Sequence, residues 1–167
     1  MTLKSTASSG GFRVRNIHQL ERALVKLYDL EDRDDLHRLA IFILAHTLVD
    51  ELLSTAVICN ELSAPSQQDL LHRLVAWVTN DVERRHFSRR LDDAKRKRIL
   101  SANSHRIAKT LNESRNEFIH RHRIPLYKGK KITTDEGLYN CLSEAISIIE
   151  DLRKDAARLQ ESLNKMK

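Results

Sequence analysis

Between Gly11 and Gly129 the chain contains no glycine, and Pro65 and Pro125 are its two prolines. Glycine and proline are the residues that most readily turn a backbone, so so long a stretch without them is poorly suited to many short strands. It suits a few long helices joined by short connections. Aromatic residues, which favour strands, amount to 5%, and this points the same way. At 167 residues the chain is about one domain long and large enough to bury a core. The expected fold is all-α: an up-and-down bundle of about five helices, a single domain over 16–167 behind a disordered Ser/Gly-rich tail at 1–15.

Apolar periodicity places the helices. The first spans about Ile17–Leu30, with Leu20, Leu24, Leu27 and Tyr28 on one stripe. Asp32, Asp34 and Asp35 supply caps and first-turn negative charge for a second helix, about Asp34–Leu62. That helix is apolar around most of its circumference and belongs at the bundle centre. Its polar exceptions, His46, Asp50 and Ser54, recur every fourth residue. They form a narrow stripe that meets water or a partner, or else a buried polar pair supporting a site. Ser66 caps a third helix to about Asn80, with Leu70, Leu71, Leu74, Val75, Trp77 and Val78 as its stripe. A fourth, long helix runs from about Leu91 to Arg123 and is closed by Ile124-Pro125. A basic loop, Leu126–Lys131, leads to a last helix from about Asp135 to Lys165, capped by Thr134.

Cys59 and Cys141 lie far apart in apolar helical patterns, as free thiols of a reducing compartment do. The N-terminal segment lacks the apolar core of a secretory signal. The most apolar run, Leu39–Val49, is too short to span a bilayer and contains His46. The expectation is a cytoplasmic protein without a membrane partner.

Charge is unevenly spread. From Arg84 to Lys131 there are 16 Lys/Arg against four acids, a local net of +12, so the other 119 residues carry −6 of the total +6. A basic middle on an acidic remainder is the footprint of a polyanion partner, RNA or DNA first, set against the plain alternative of solvated basic helix faces.

Within that segment lies Arg115-Asn116-Glu117-Phe118-Ile119-His120, followed by Arg121-His122-Arg123. On a helical wheel Ile107, Leu111 and Phe118 face the core, Arg115 sits at the edge of that stripe, and His120 points about 180° from its centre. Arg115 and His120 are about 140° apart, so they converge on one ligand only if the arginine wraps around or a second protomer completes the cleft. This favours a homodimer. Asn116 and His120, four residues apart, share a face. With 18 Arg, 8 Asn and 8 His in the chain, the chance count of such a triplet is about 0.04.

Arg-Asn-x-x-x-His near the end of a bundle helix resembles the signature of HEPN domains, helical domains of toxin–antitoxin, abortive-infection and CRISPR-associated systems. The resemblance covers most of the chain as architecture and three positions as sequence. It implies metal-independent RNA cleavage by a dimer, with no cofactor, in a toxin–antitoxin or phage-defence setting. His120 would act as acid or base, since histidine ordinarily titrates near ~6.5. Arg115 would hold the phosphate oxygens with its planar fork, and Asn116 would orient His120 or the phosphate. Arg121, His122, Arg123, Lys128, Lys130 and Lys131 would track flanking RNA phosphates. An antitoxin or other regulatory protein is the further partner implied. In relatives neutralised by a nucleotidyltransferase a Tyr usually stands two residues after the motif His. Here that position is His122, and the resemblance does not extend to such regulation. His120-x-His122 places its two rings on different helix faces with no Cys or carboxylate beside them in sequence, which disfavours a metal site.

Two other functions fit parts of the pattern. Val49-Asp50-Glu51-Leu52-Leu53 is faintly similar to mannitol-repressor-like proteins, which suggests a non-catalytic module that binds a protein or regulates transcription. Arg89, Arg90, Lys95, Arg96, Lys97 and Arg98 could grip DNA, but no helix-turn-helix or zinc spacing accompanies them.

Overall fold

The computed structural model describes residues 6–30, 33–62, 78, 80–82 and 84–164. It is all-α but for one small hairpin. In chain order the elements are α1 (Thr6–Tyr28), α2 (Asp35–Leu62), α3 (Phe87–Arg96), α4 (Ala102–Arg121), β1 (Leu126–Tyr127), β2 (Lys130–Lys131) and α5 (Asp135–Asn164). Val78 and Val82, on the helical stretch before α3, are buried. Of the expected third helix, residues 66–77 and 79 lie outside the described residues.

α2 is the central element, packed against α1, α3, α4 and α5. Ile41, Phe42, Ala45, Leu48, Val49, Leu52, Leu53, Ala56 and Val57 are buried around it, which is what an all-round apolar helix requires. Its start is capped: the Asp34 carboxylate accepts the His37 N–H at 2.8 Å, and that bond holds the Asp34 carboxyl below its usual range. By length and composition Asp35–Glu61 is apolar enough to cross a membrane, a longer span than Leu39–Val49 suggested, and 67% of its most apolar window is buried inside the bundle. α5 contributes Leu138, Cys141, Leu142, Ala145, Ile148, Ile149 and Leu152, a stripe at helical spacing.

Three boundaries differ from expectation. α1 begins at Thr6, so residues 6–15, expected as a disordered tail, continue the helix. Once the apolar stripe of Ile17, Leu20, Leu24 and Leu27 packs on the core, each residue added N-terminally gains a hydrogen bond without a new nucleus. Tyr28, expected on that stripe, is instead exposed, with the Arg33 guanidinium 4.9 Å from its ring.

The expected helix Leu91–Arg123 is two helices. Arg98 turns left-handed at φ 59. Around it the Ile99 N–H reaches the Ala94 carbonyl at 2.8 Å and the Arg98 N–H reaches Lys95 at 3.0 Å, the paired bonds of a Schellman stop. Ser101 then caps α4, its hydroxyl accepting the Ser104 N–H at 3.0 Å. Glycine ordinarily fills the left-handed position, and an arginine there leaves no sequence mark.

The Leu126–Lys131 segment, expected as a loop, is a hairpin in which Leu126 pairs with Lys131 and Tyr127 with Lys130. Lys128 (φ 49) and Gly129 (φ 82) form its two-residue turn with both φ positive, which matches strand twist. The hairpin is tied down by Tyr127, fully buried with its hydroxyl donating to Glu144, and by Ser114, whose hydroxyl donates to the Leu126 carbonyl at 2.8 Å.

Candidate functional site

α4 ends at Arg121. His122 is left-handed at φ 51, its N–H donates to the Phe118 carbonyl at 3.2 Å, and the Arg123 N–H donates to Glu117 at 3.1 Å. His122 therefore works as the helix stop, and the helix ends two residues before the expected Arg123. His120 and His122 are both exposed. Arg121 pairs with Glu117 one turn back.

The basic hairpin stands apart from His120. Lys128 pairs with Glu144 and lies beside Arg106 and Thr110, so it sits about 15–21 Å up the axis of α4 from His120. Burial raises the pKa of the Glu144 carboxyl, but the Lys128 ammonium and Tyr127 hydroxyl outweigh it and leave the carboxyl below its usual range. Lys130 pairs with Glu136 at 3.1 Å, while Lys131 has no ion pair among the described residues. Of the cations expected to track RNA beyond the helix end, Arg123 and Lys131 have no ion pair among the described residues. Arg123 borders an open groove of about 450 Å³ with Glu113, Glu117, Ile124 and Leu126.

Much of the local +12 charge is already balanced. Arg85, nearly buried, donates to Glu61 at 2.9 Å and to Asp93 at 2.8 Å and also pairs with Asp81. Lys97 reaches the same Glu61 at 2.8 Å, and Arg96 pairs with Asp93. This network pins the end of α2 to α3 and engages Arg96 and Lys97, two of the six residues expected to grip DNA.

Arg115 behaves differently. Its side chain is half-buried, and it donates to its neighbour Asn116 at 3.4 Å. Among the described residues it has no carboxylate within ion-pair distance. Arg38, Arg85 and Arg90 are also buried in part, and each meets at least one. No contact joins Arg115 to His120, as their separation around the helix predicted.

Arg115 instead faces a polar seam where α2, α3 and α4 meet. His46, 5% exposed, takes part in a 3.3 Å hydrogen bond with Asn112 Oδ1 and packs its ring on Phe87 at 4.9 Å between centroids. One turn along α2, Asp50 pairs with Arg90 of α3. Burial, with the Arg115 and Arg90 guanidinium groups adding to it, pushes the His46 pKa down to about 4, although its bond to Asn112 opposes the shift. His46 is therefore neutral, with Nε2–H the donor to the Asn112 oxygen.

The stripe read from the sequence as either a water-facing strip or a buried polar pair is thus largely the second. His46 and Ser54 are buried, and Ser54 bonds back to the Asp50 carbonyl at 2.9 Å. Asn112 was not singled out in the sequence, though its position three residues before Arg115 and four before Asn116 was a signal that the polar side of α4 faces this stripe.

No protein-family model, curated protein or solved structure matches the chain.

Among the described residues no group of three or more His, Cys, Asp or Glu is placed to hold a metal ion. The thiols are poor nucleophiles: burial pushes Cys141 up to about 12 and raises Cys59. α4 itself carries an exposed histidine, His120, and a half-buried arginine, Arg115, that has no carboxylate partner among the described residues.

Proposed function

We propose that the chain is a metal-independent endoribonuclease that acts as a homodimer. Arg115, half-buried and without a carboxylate partner, is the observation that carries this reading. A guanidinium taken partly out of water loses hydration that an anion can replace, and its fork fits the oxygens of a phosphodiester. His120 is accessible on the face of α4 that also carries Asn116. Since the two do not converge within one chain, Arg115 of one protomer would serve the scissile phosphate together with His120 of the other.

In the reaction His120 takes the proton of an RNA 2′-hydroxyl and the 2′ oxygen attacks the adjacent phosphorus. Arg115 stabilises the charge on the non-bridging oxygens. The P–O5′ bond breaks, the 5′ oxygen leaves with a proton returned by the His120 imidazolium, and the products are a 2′,3′-cyclic phosphate and a 5′-hydroxyl. Arg121, His122, Arg123 and the hairpin lysines Lys128, Lys130 and Lys131 are the candidates for contacts along the strand.

A structured RNA incubated with purified protein in EDTA tests this directly. The wild type is expected to cleave it to cyclic-phosphate ends, and His120→Ala to lose about 100-fold or more in rate. Equal cleavage by His120→Ala would overturn the reading.

The absence of any Arg115–His120 contact favours a second reading, a non-catalytic module that binds a partner protein or regulates transcription. Folded wild type that cleaves no RNA at micromolar concentration would decide for it.

A further inference from the structure

The seam between α2, α3 and α4 has a composition that a purely structural cluster does not need. Each helix places polar groups there one turn apart: His46 and Asp50 on α2, Arg90 beside Phe87 on α3, Asn112 and Arg115 on α4. The elements are locked to one another by the His46–Asn112, His46–Phe87 and Arg90–Asp50 contacts. The Arg115 and Arg90 guanidinium groups both act electrostatically on the His46 imidazole, and with the Asp50 carboxylate that Arg90 meets they leave one more cation than carboxylate among these groups.

Their hydrogen-bonding capacity is also unspent. The Arg90 side chain is 11% exposed, and its Nε–H is buried with no acceptor among the described residues. Arg115 is more accessible, and among the described residues one of its five N–H groups has an acceptor, on Asn116 at 3.4 Å. Buried donors on charged groups ordinarily find partners, because leaving them unmade is costly. A tetrahedral oxyanion has the charge to cancel the excess cation and enough acceptors for both forks.

We propose that Arg90 and Arg115 together bind one phosphate-type oxyanion within a single chain, beside the His46–Asn112 pair. Arg90 keeps its bond to Asp50 and offers Nε–H. Arg115, the more accessible of the two, swings onto the anion from Asn116. His46, being neutral, adds no charge and holds Asn112 and the α4 backbone in register. The site shares Arg115 with the ribonuclease reading but needs neither His120 nor a second protomer, so the two can fail separately.

The anion can be inorganic phosphate or the backbone phosphate of an RNA. Full-length protein is titrated with inorganic phosphate, and in a second arm with a short single-stranded RNA, while the His46 ring resonances are followed by NMR. Phosphate is expected to shift those resonances saturably in the wild type and in His120→Ala. Arg115→Gln should weaken the response at least tenfold with its circular dichroism unchanged. Arg90→Lys, which keeps the charge facing Asp50 but loses Nε–H and the fork, should weaken it as well and serves if Arg115→Gln fails to fold. RNA that produces the same shift and competes with phosphate identifies a strand phosphate as the ligand. RNA without effect on His46, where phosphate does act, identifies a small free anion. Absence of any saturable shift at tens of millimolar phosphate, or an undiminished shift in both arginine variants, would overturn the proposal.

Discussion

The His46 imidazole on α2 and the Asn112 side-chain oxygen on α4 lie 3.3 Å apart inside the bundle. That bond selects the Nε2–H tautomer, while burial and the Arg115 and Arg90 guanidinium groups, against the bond's opposing pull, keep the histidine neutral well below the pH at which a free one would charge.

The fold should therefore lose stability as pH falls from about 6.5 to about 4. In that window the unfolded chain binds a proton at His46 and the folded chain does not, so protonation pulls toward the unfolded state and stability rises with pH. Taking the shift at face value, the His46 contribution is about 3 kcal/mol across the window. Urea unfolding of wild type against His46→Gln, whose amide can still donate to Asn112, measures it. The variant should show a shallower pH slope by about this amount, and parallel slopes would contradict the assignment.

Ser101→Ala removes the cap of α4 and should cost about 1 kcal/mol. Native-state hydrogen exchange localises the effect: the Ser104 amide, which loses its acceptor at 3.0 Å, should exchange faster while amides in α2 do not change.

Two glycines should respond in opposite order to their backbone angles. Gly129 is left-handed at φ +82 but has open space around it, so Gly129→Ala should cost about 1 kcal/mol through strain alone. Gly137 sits in ordinary helix, yet a Cβ there would stand 2.0 Å from the Lys131 carbonyl oxygen and 2.7 Å from its carbon. Backbone cannot step aside cheaply, so Gly137→Ala should cost about 2–3 kcal/mol and loosen the hairpin against α5. Thermal melts that rank Gly129→Ala as the worse variant would refute this packing.

How much could be read in advance depended on how local the cause was. The centre of the bundle was legible because α2 is apolar around most of its circumference, and only a position surrounded by other helices buries such a surface. The outward aim of His120 was legible because helical geometry alone sets the angle between it and Leu111. The break after Arg96 was not legible, because Arg98 stands where a glycine would have announced the turn. The hairpin was half visible: Gly129 marked a turn, but Tyr127 had to be seen buried against Glu144 before the segment could be more than a loop.

The sequence by itself determined the helical class, the central helix and the wheel positions of Arg115, Asn116 and His120, since each follows from a period of 3.6 residues and from which residues water rejects. Only the tertiary structure decided which charges are spent and which remain. Arg85, Arg90, Arg96 and Lys97 look like the same basic face as Arg89 and Lys95, yet their carboxylates come from Asp50 and Glu61 on another helix or from neighbours such as Asp81 and Asp93. The partner of His46 is likewise 66 residues away. Pairings of that range are set by how helices pack, and among the described residues that packing brings no carboxylate to the half-buried Arg115.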